Sequence, residues 1–190
     1  MNIILASKSP RRQELLRRIG IEDYTILVPE VEESCPAGLL PEETVKYISR
    51  KKALAAKELA APDDLIIAAD TMVFLGNERL GKPKDEADAL RMLLALQGRK
   101  HTVCTGVTVL QNDTVLTEAE ATDVYFRPAT EEELYRYIRS GEPMDKAGAY
   151  GVQGKGSLLV RRIEGDYYNV MGLPLVRLSG MLQRFGMILL

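Results

Sequence analysis

"LIIAAD", residues 65–70, is a near-continuous apolar run that closes on a carboxylate. Without alternation of polar and apolar positions it reads as a strand covered on both faces, the pattern of an inner strand in an α/β sheet. Ligands of such sheets bind beyond the carboxyl ends of the strands. The reading therefore puts Asp70 at a strand end, where it can hold a metal ion or activate water. Capping a turn through the backbone is its ordinary alternative, and Thr71 reads equally as the next strand residue.

Outward from this strand, apolar runs bounded by turn residues predict further strands at residues 2–6 ("NIILA"), 24–31 ("YTILVPEV"), 72–75, 102–110, 120–126 and 157–163 ("SLLVRRI"). Helical patterns separate several of them. Residues 41–60 open on Pro41 and two glutamates, residues 85–98 run from an Asp85 cap to Gly98, and residues 130–141 carry a Thr130/Glu133 capping box and end at Gly141. "GVTVLQNDTVLTEA", residues 106–119, reads as a hairpin turning at Asn112-Asp113, so part of the sheet must be antiparallel. The expected class is α/β with a mixed sheet. No repeat, linker or compositional break interrupts the chain, which predicts a single domain over residues 1–190.

Twenty-five Lys and Arg against 27 Asp and Glu give a net charge of -2, which argues against a nucleic-acid partner held by general basicity. Any anion site must be local. The first apolar run is too short for a signal sequence and none is long enough to span a bilayer, so the expectation is a cytoplasmic protein with no membrane partner. Cys35 and Cys104 are isolated and His101 is the only histidine, which argues against a disulfide scaffold and a Cys/His zinc site. His101 reads as a surface or hydrogen-bonded structural residue.

The local anion site is predicted at "ASKSPRRQ", residues 6–13. Ser9 suits a helix cap and Pro10 the first helical position. Arg11 and Arg12 then fall in the first turn, where the macrodipole and unpaired N–H groups are already positive, an arrangement disfavoured unless an anion binds. On the helix of residues 41–60 the apolar stripe runs Val45, Ile48, Ala55, Ala56 and Leu59, and Lys52 shares it. Its amine either snorkels outward or reaches a phosphate or carboxylate. Lys51 lies about 100° around the helix from the stripe.

Three weaker features complete the set. "GKPK" holds Lys82 on a loop, "VEES" puts Glu32 and Glu33 at a strand end, and residues 145–157 surround Gln153 with Gly148, Gly151, Gly154 and Gly156. Solvated loops are the ordinary reading of the first two, and the glycines serve either close approach to a ligand or simple turns. An Asp145–Lys146 ion pair could fix that loop. No serine or cysteine nucleophile has a histidine base, so attack by water is the economical mechanism. Arginines at a helix start, an inward lysine, a loop lysine and a carboxylate are the parts needed to hold a polyphosphate, bind a divalent ion and position water.

Taken in order, "LASKSPRRQELL", "AADTMVF", "GKP", "DKAGAYGVQG" and "YYNVMGLPL" resemble the Maf family of nucleoside triphosphate pyrophosphatases, from Ile3 to about Leu178. The resemblance implies a mixed α/β, inosine-triphosphatase-like (Maf/Ham1-like) fold with two lobes around a central cleft, often as a homodimer. It also implies cleavage of a nucleoside triphosphate between the α and β phosphates with a divalent cation, magnesium, manganese or cobalt, in a house-cleaning role. Asp70 would be the proton acceptor. Ser7, Ser9 and Arg12 would bind phosphate, Lys52 and Lys82 would assist catalysis, and Glu33 and Asp70 would meet the metal. Family members often carry Asp-Glu where this chain has Glu32-Glu33. Arg11 after the Ser-Pro, Thr71 after the aspartate and Gln153 in the glycine-rich loop resemble the subgroup acting on dTTP and UTP. The other subgroup, preferring 7-methyl-GTP, carries an aromatic residue, Gln and Glu there. A sensor that binds nucleotide without turnover, linked to septum formation, is the alternative, and it would not need Asp70.

Overall fold

Seven strands form one mixed sheet in the computed structural model, which describes residues 2–190. They are β1 (Ile3–Leu5), β2 (Thr25–Ile26), β3 (Leu65–Leu75), β4 (Glu78–Leu80), β5 (Lys100–Gln111), β6 (Thr114–Phe126) and β7 (Val160–Glu164). The sheet order is β2-β1-β3-β5-β6-β7, with β4 on β3. β1 runs parallel to β2 and β3, joined to them through α1 (Pro10–Arg18) and α2 (Pro41–Lys57), because parallel neighbours need a crossover. β4 and β7 are antiparallel to β3 and β6, as the mixed-sheet expectation requires. Among the described residues no helix is long and apolar enough to cross a membrane.

The chain divides into two compact units. The first comprises Met1–Asp70, Thr105–Glu120 and Gly172–Leu190. Its core sets Ala53 and Ala56 of α2 against Ile4, Ala6, Ile66, Ala68 and Leu110. Small side chains let α2 lie close to the sheet, and Gly106 marks the closest approach: a Cβ there would stand 2.2 Å from the Val45 carbonyl oxygen. Beside it, Ser49 Oγ, Thr108 Oγ1 and Thr117 Oγ1 form a hydroxyl chain with 3.0 Å links that satisfies polar groups under the helix. Gly106→Ala should therefore push α2 off β5 and lower unfolding free energy by about 2–3 kcal/mol. An unfolding free energy from urea titration within about 0.5 kcal/mol of wild type would show that α2 is not seated on that glycine. From α6 (Leu175–Gln183), Arg177 pairs with Glu118 and Glu120 of β6 at 2.8 and 2.7 Å.

The second unit comprises Thr71–Cys104 and Ala121–Met171. α3 (Glu86–Leu96) is capped by Asp85, whose carboxylate accepts the Asp88 N–H at 2.8 Å. α4 (Glu131–Ile138) has the Thr130/Glu133 capping box the sequence predicts. Both helices pack through Leu93, Leu96, Leu134 and Ile138 against Val103, Val124 and Phe126 of β5 and β6. His101 is buried, donating to or accepting from Tyr150 Oη at 2.8 Å, and burial pushes its imidazolium down to about 4, so it is a neutral structural residue.

Several sequence expectations are corrected. The run at 65–70 does not end at Asp70, because residues 72–75 continue it and β4 pairs with Val73–Leu75. Asp70 and Thr71 are consecutive mid-strand residues. β2 covers only Thr25–Ile26; Pro29 lacks an N–H and the glutamates after it have nothing to bury, so Glu32 and Glu33 sit in a loop rather than at a strand end. β7 begins at Val160 because Gly154–Leu158 form a 3-10 turn. Leu59 lies beyond α2 and is exposed, so the stripe ends at Ala56. The structure adds β4, α5 (Tyr167–Met171) and α6, the last with Leu175, Leu178, Met181 and Leu182 buried at a helical period.

Candidate active site

In the first unit, the Lys52 ammonium lies 2.7 Å from Glu33 Oε1 and 2.7 Å from Asp70 Oδ1. The snorkelling alternative is therefore not what the side chain does: it is 16% exposed and ends on a 6% exposed carboxylate. Lys51, one residue away, instead donates to the Glu32 carbonyl at the exposed surface, 2.8 Å away. The helical stripe explains the difference, because Ile48, Ser49, Ala53 and Ala56 are fully buried around the Lys52 position. Asp70 is in the buried half of β3, and its Oδ2 has no hydrogen-bond partner among the described residues. A buried carboxylate oxygen left this way loses solvation that something else must return.

The opening motif builds a second cluster in the same unit. Ser9 takes the N-cap position of α1, but its side chain caps nothing; its N–H donates to Ser7 Oγ at 3.2 Å. Ser7 Oγ also accepts from Arg12 Nη1 at 3.1 Å, and Arg12 Nε donates to the Gly172 carbonyl at 2.8 Å. No acidic residue occupies the first turn of α1, so no carboxylate of that turn offsets the positive end of the helix. Burial pulls the Arg12 guanidinium down from its ordinary value; Asp70 and Glu33 act upward and Arg11 adds to the lowering. Nothing in residue spacing points to the Gly172 carbonyl as the Arg12 partner; the glycine within "NVMGLPL" is the one signal available.

Thr71, Lys82 and Gln153 belong to the second unit. Lys82 is exposed on the loop after β4, and Gln153 is half-buried at the start of the 3-10 turn of residues 154–158. The glycines around Gln153 are crowded by the protein itself. A Cβ at Gly148 would meet Val73 at 2.9 Å, and one at Gly156 the Gly151 carbonyl at 2.2 Å. The Asp145–Lys146 pair is present at 2.6 Å.

A model of the Maf-like protein family matches residues 2–185. The chain belongs to the Maf family. A relative from Dictyoglomus turgidum named dTTP/UTP pyrophosphatase is 51% identical over 191 residues, covering 99% of this chain and 98% of the relative. Another of that name from Symbiobacterium thermophilum is 48% identical, covering 97% and 94%. The Ham1 protein of Staphylococcus aureus superposes with a TM-score of 0.54 at 15% identity, covering 98% of this Maf chain and 100% of that one, which shows a shared fold.

Among the described residues of this Maf protein, no cluster of three or more His, Cys, Asp or Glu side chains could hold a metal ion. Two carboxylates, Glu33 and Asp70, converge on one lysine, and one of their oxygens is buried without a partner. Hard oxygen donors in that number suit a magnesium-like ion that keeps water and phosphate oxygens for its remaining ligands.

Proposed function

We propose that this protein hydrolyses dTTP and UTP to the nucleoside monophosphate and pyrophosphate, clearing them from the nucleotide pool. The observation that carries the reading is the Glu33–Lys52–Asp70 cluster with its partnerless Asp70 Oδ2. Two relatives of nearly full length named dTTP/UTP pyrophosphatase support the substrate class.

Asp70 Oδ2 accepts a proton from the attacking water while Oδ1 stays with the Lys52 ammonium. The water oxygen bonds to the α phosphorus, the bond to the bridging oxygen breaks, and pyrophosphate leaves with the electron pair. The ammonium fixes one carboxylate oxygen and leaves the other to take the proton, as a positioned base requires. Arg12, oriented by Ser7 and the Gly172 carbonyl, binds the triphosphate with Ser7 and Ser9. The stretch that disfavours Arg11 and Arg12 in the empty protein then stabilises charge when substrate arrives. A divalent cation, magnesium, manganese or cobalt, would be held by Glu33 and Asp70 and would supply neutralisation of phosphate charge.

Lys82, Thr71, Arg11 and Gln153 are assigned by chemistry and motif position. For Lys82 the assignment is a cation that assists catalysis, resting on its Gly-Lys-Pro motif alone. Thymine and uracil present an acceptor, a donor and an acceptor, which the Gln153 carboxamide meets with its NH₂ and oxygen, whereas 7-methylguanine carries a positive ring that a carboxylate would suit better.

Pyrophosphate release from dTTP, UTP, CTP and 7-methyl-GTP, with each metal and with chelator, tests this. We expect kcat/KM for dTTP and UTP at least about tenfold above that for 7-methyl-GTP, loss of turnover with chelator, and a shift toward 7-methyl-GTP in Gln153→Glu. Binding without products would make the protein a sensor, and an unmoved preference in the variant would remove base reading from Gln153.

A further inference from the structure

We propose that Glu142, together with Tyr137, is the positioning residue that holds the Gln153 loop in one conformation for base recognition, an inference that rests on the base-reading role given to Gln153 above. Glu142 opens the 3-10 turn Glu142–Asp145 that follows α4. Its Oε1 accepts from the Gly156 N–H at 2.9 Å and from the Tyr137 hydroxyl at 2.9 Å. Its Oε2 accepts from the Lys155 N–H at 2.9 Å. Tyr137 Oη in turn accepts from the Gly151 N–H at 3.1 Å. One carboxylate and one phenol thus tie both ends of the stretch 151–156, and Gln153 sits between the tied ends.

The glycines of the stretch are what allow this closure. At Gly156 a Cβ would lie 2.2 Å from the Gly151 carbonyl oxygen and 2.6 Å from Tyr137 Oη; at Gly154, where φ is +67°, it would lie 2.7 Å from Glu142 Oε2. The glycine spacing therefore serves a carboxylate inside the protein, which explains the motif without any phosphate cradle. Burial alone would push the Glu142 carboxyl up, but the Gly156 and Lys155 amides, the Tyr137 hydroxyl and the Lys146 ammonium outweigh it and hold it below the ordinary range. An ionised acceptor makes each of these hydrogen bonds stronger than a neutral one would.

The Gln153 side chain is half-buried between the tied ends, and no hydrogen bond of its carboxamide is seen among the described residues. A carboxamide able to turn over would satisfy cytosine as well as uracil by presenting its two ends in the opposite order. That choice is a rotation about the amide's own last bond, which the bound base selects; what the tied backbone fixes is where the amide stands. A loop closed in advance also removes the ordering cost from binding, and a loosened one reduces apparent affinity by the fraction of molecules still closed.

Glu142→Gln tests this, since the amide is the same size but its NH₂ cannot accept a backbone N–H. The expected result is a KM for dTTP and UTP raised about tenfold with kcat changed less than about twofold. The preference over 7-methyl-GTP, whose base gains nothing from the Gln153 carboxamide, should fall by a similar factor, and amide hydrogen exchange at Lys155 and Gly156 should speed up about tenfold or more. Tyr137→Phe should move all three readouts the same way by less, and it carries the test if Glu142→Gln fails to fold. Unchanged exchange, an unchanged KM, or a fall in kcat alone overturns the proposal. Gln153→Ala separates the two claims: a dTTP preference that survives it removes base reading and the positioning role with it, whereas a preference lost in Gln153→Ala but kept in Glu142→Gln removes the clamp alone.

Discussion

Asp70→Asn should leave the protein folded and lower kcat by at least about a hundredfold, the lower range for loss of a positioned base. The asparagine keeps an oxygen for Lys52 in place of Oδ1, now 2.7 Å from the ammonium, and Glu33 remains to balance that charge. It cannot accept a proton from water, and its neutral oxygen is a poor ligand for a divalent ion. The substitution therefore removes chemistry and spares packing, and a urea midpoint near wild type is part of the expected result. A correctly folded variant that turns over dTTP at close to the wild-type rate would move the base to another residue. Glu33 is the next candidate, being the other carboxylate on the same lysine.

Lys52→Ala should lower kcat/KM by about a hundredfold, while Lys51→Ala should stay within about threefold. Both variants lose one positive charge from the same helix, so the general field of the protein predicts equal effects. Only position separates them, because Lys52 ends on Glu33 and Asp70 whereas Lys51 ends on the Glu32 carbonyl at the surface. Removing Lys52 also strands a buried carboxylate without its counter-ion, which should lower stability by up to about 3 kcal/mol. Lys52→Met, which fills the same space, should share the kinetic loss; if it recovers wild-type turnover, the ammonium is not part of the chemistry. Equal losses for the Lys51 and Lys52 variants would be fatal to the inward-lysine argument.

These two residues show why parts of the site are legible in the sequence. Lys52 is readable because the side of a helix it occupies follows from a 3.6-residue period within one segment. Asp70 is readable as buried because an unbroken apolar run signals a covered strand. Its place along the strand is not readable, because whether β3 stops at Asp70 depends on β4, a three-residue strand with no pattern of its own. The Ser9 cap fails for a related reason: the sequence gets its position right, yet its hydroxyl caps nothing, and the hydroxyl that Arg12 and the Ser9 N–H share is that of Ser7.

The sequence by itself determined what neighbours within about four residues decide. Those are the capped starts of α3 and α4, the turn at Asn112-Asp113 and the inward face of α2; the family is legible too, because its ordered motifs span the chain. Only the tertiary structure decided which groups meet. Glu33 reaches Lys52 from a loop without periodicity, Arg12 is held by a carbonyl 160 residues away, and Glu142 closes a loop 13 and 14 residues downstream. Local hydrogen bonds and side-chain period act along the chain and leave a trace in it. A carboxylate's partner across space is set by how the elements pack, and nothing in the spacing of the residues encodes that distance.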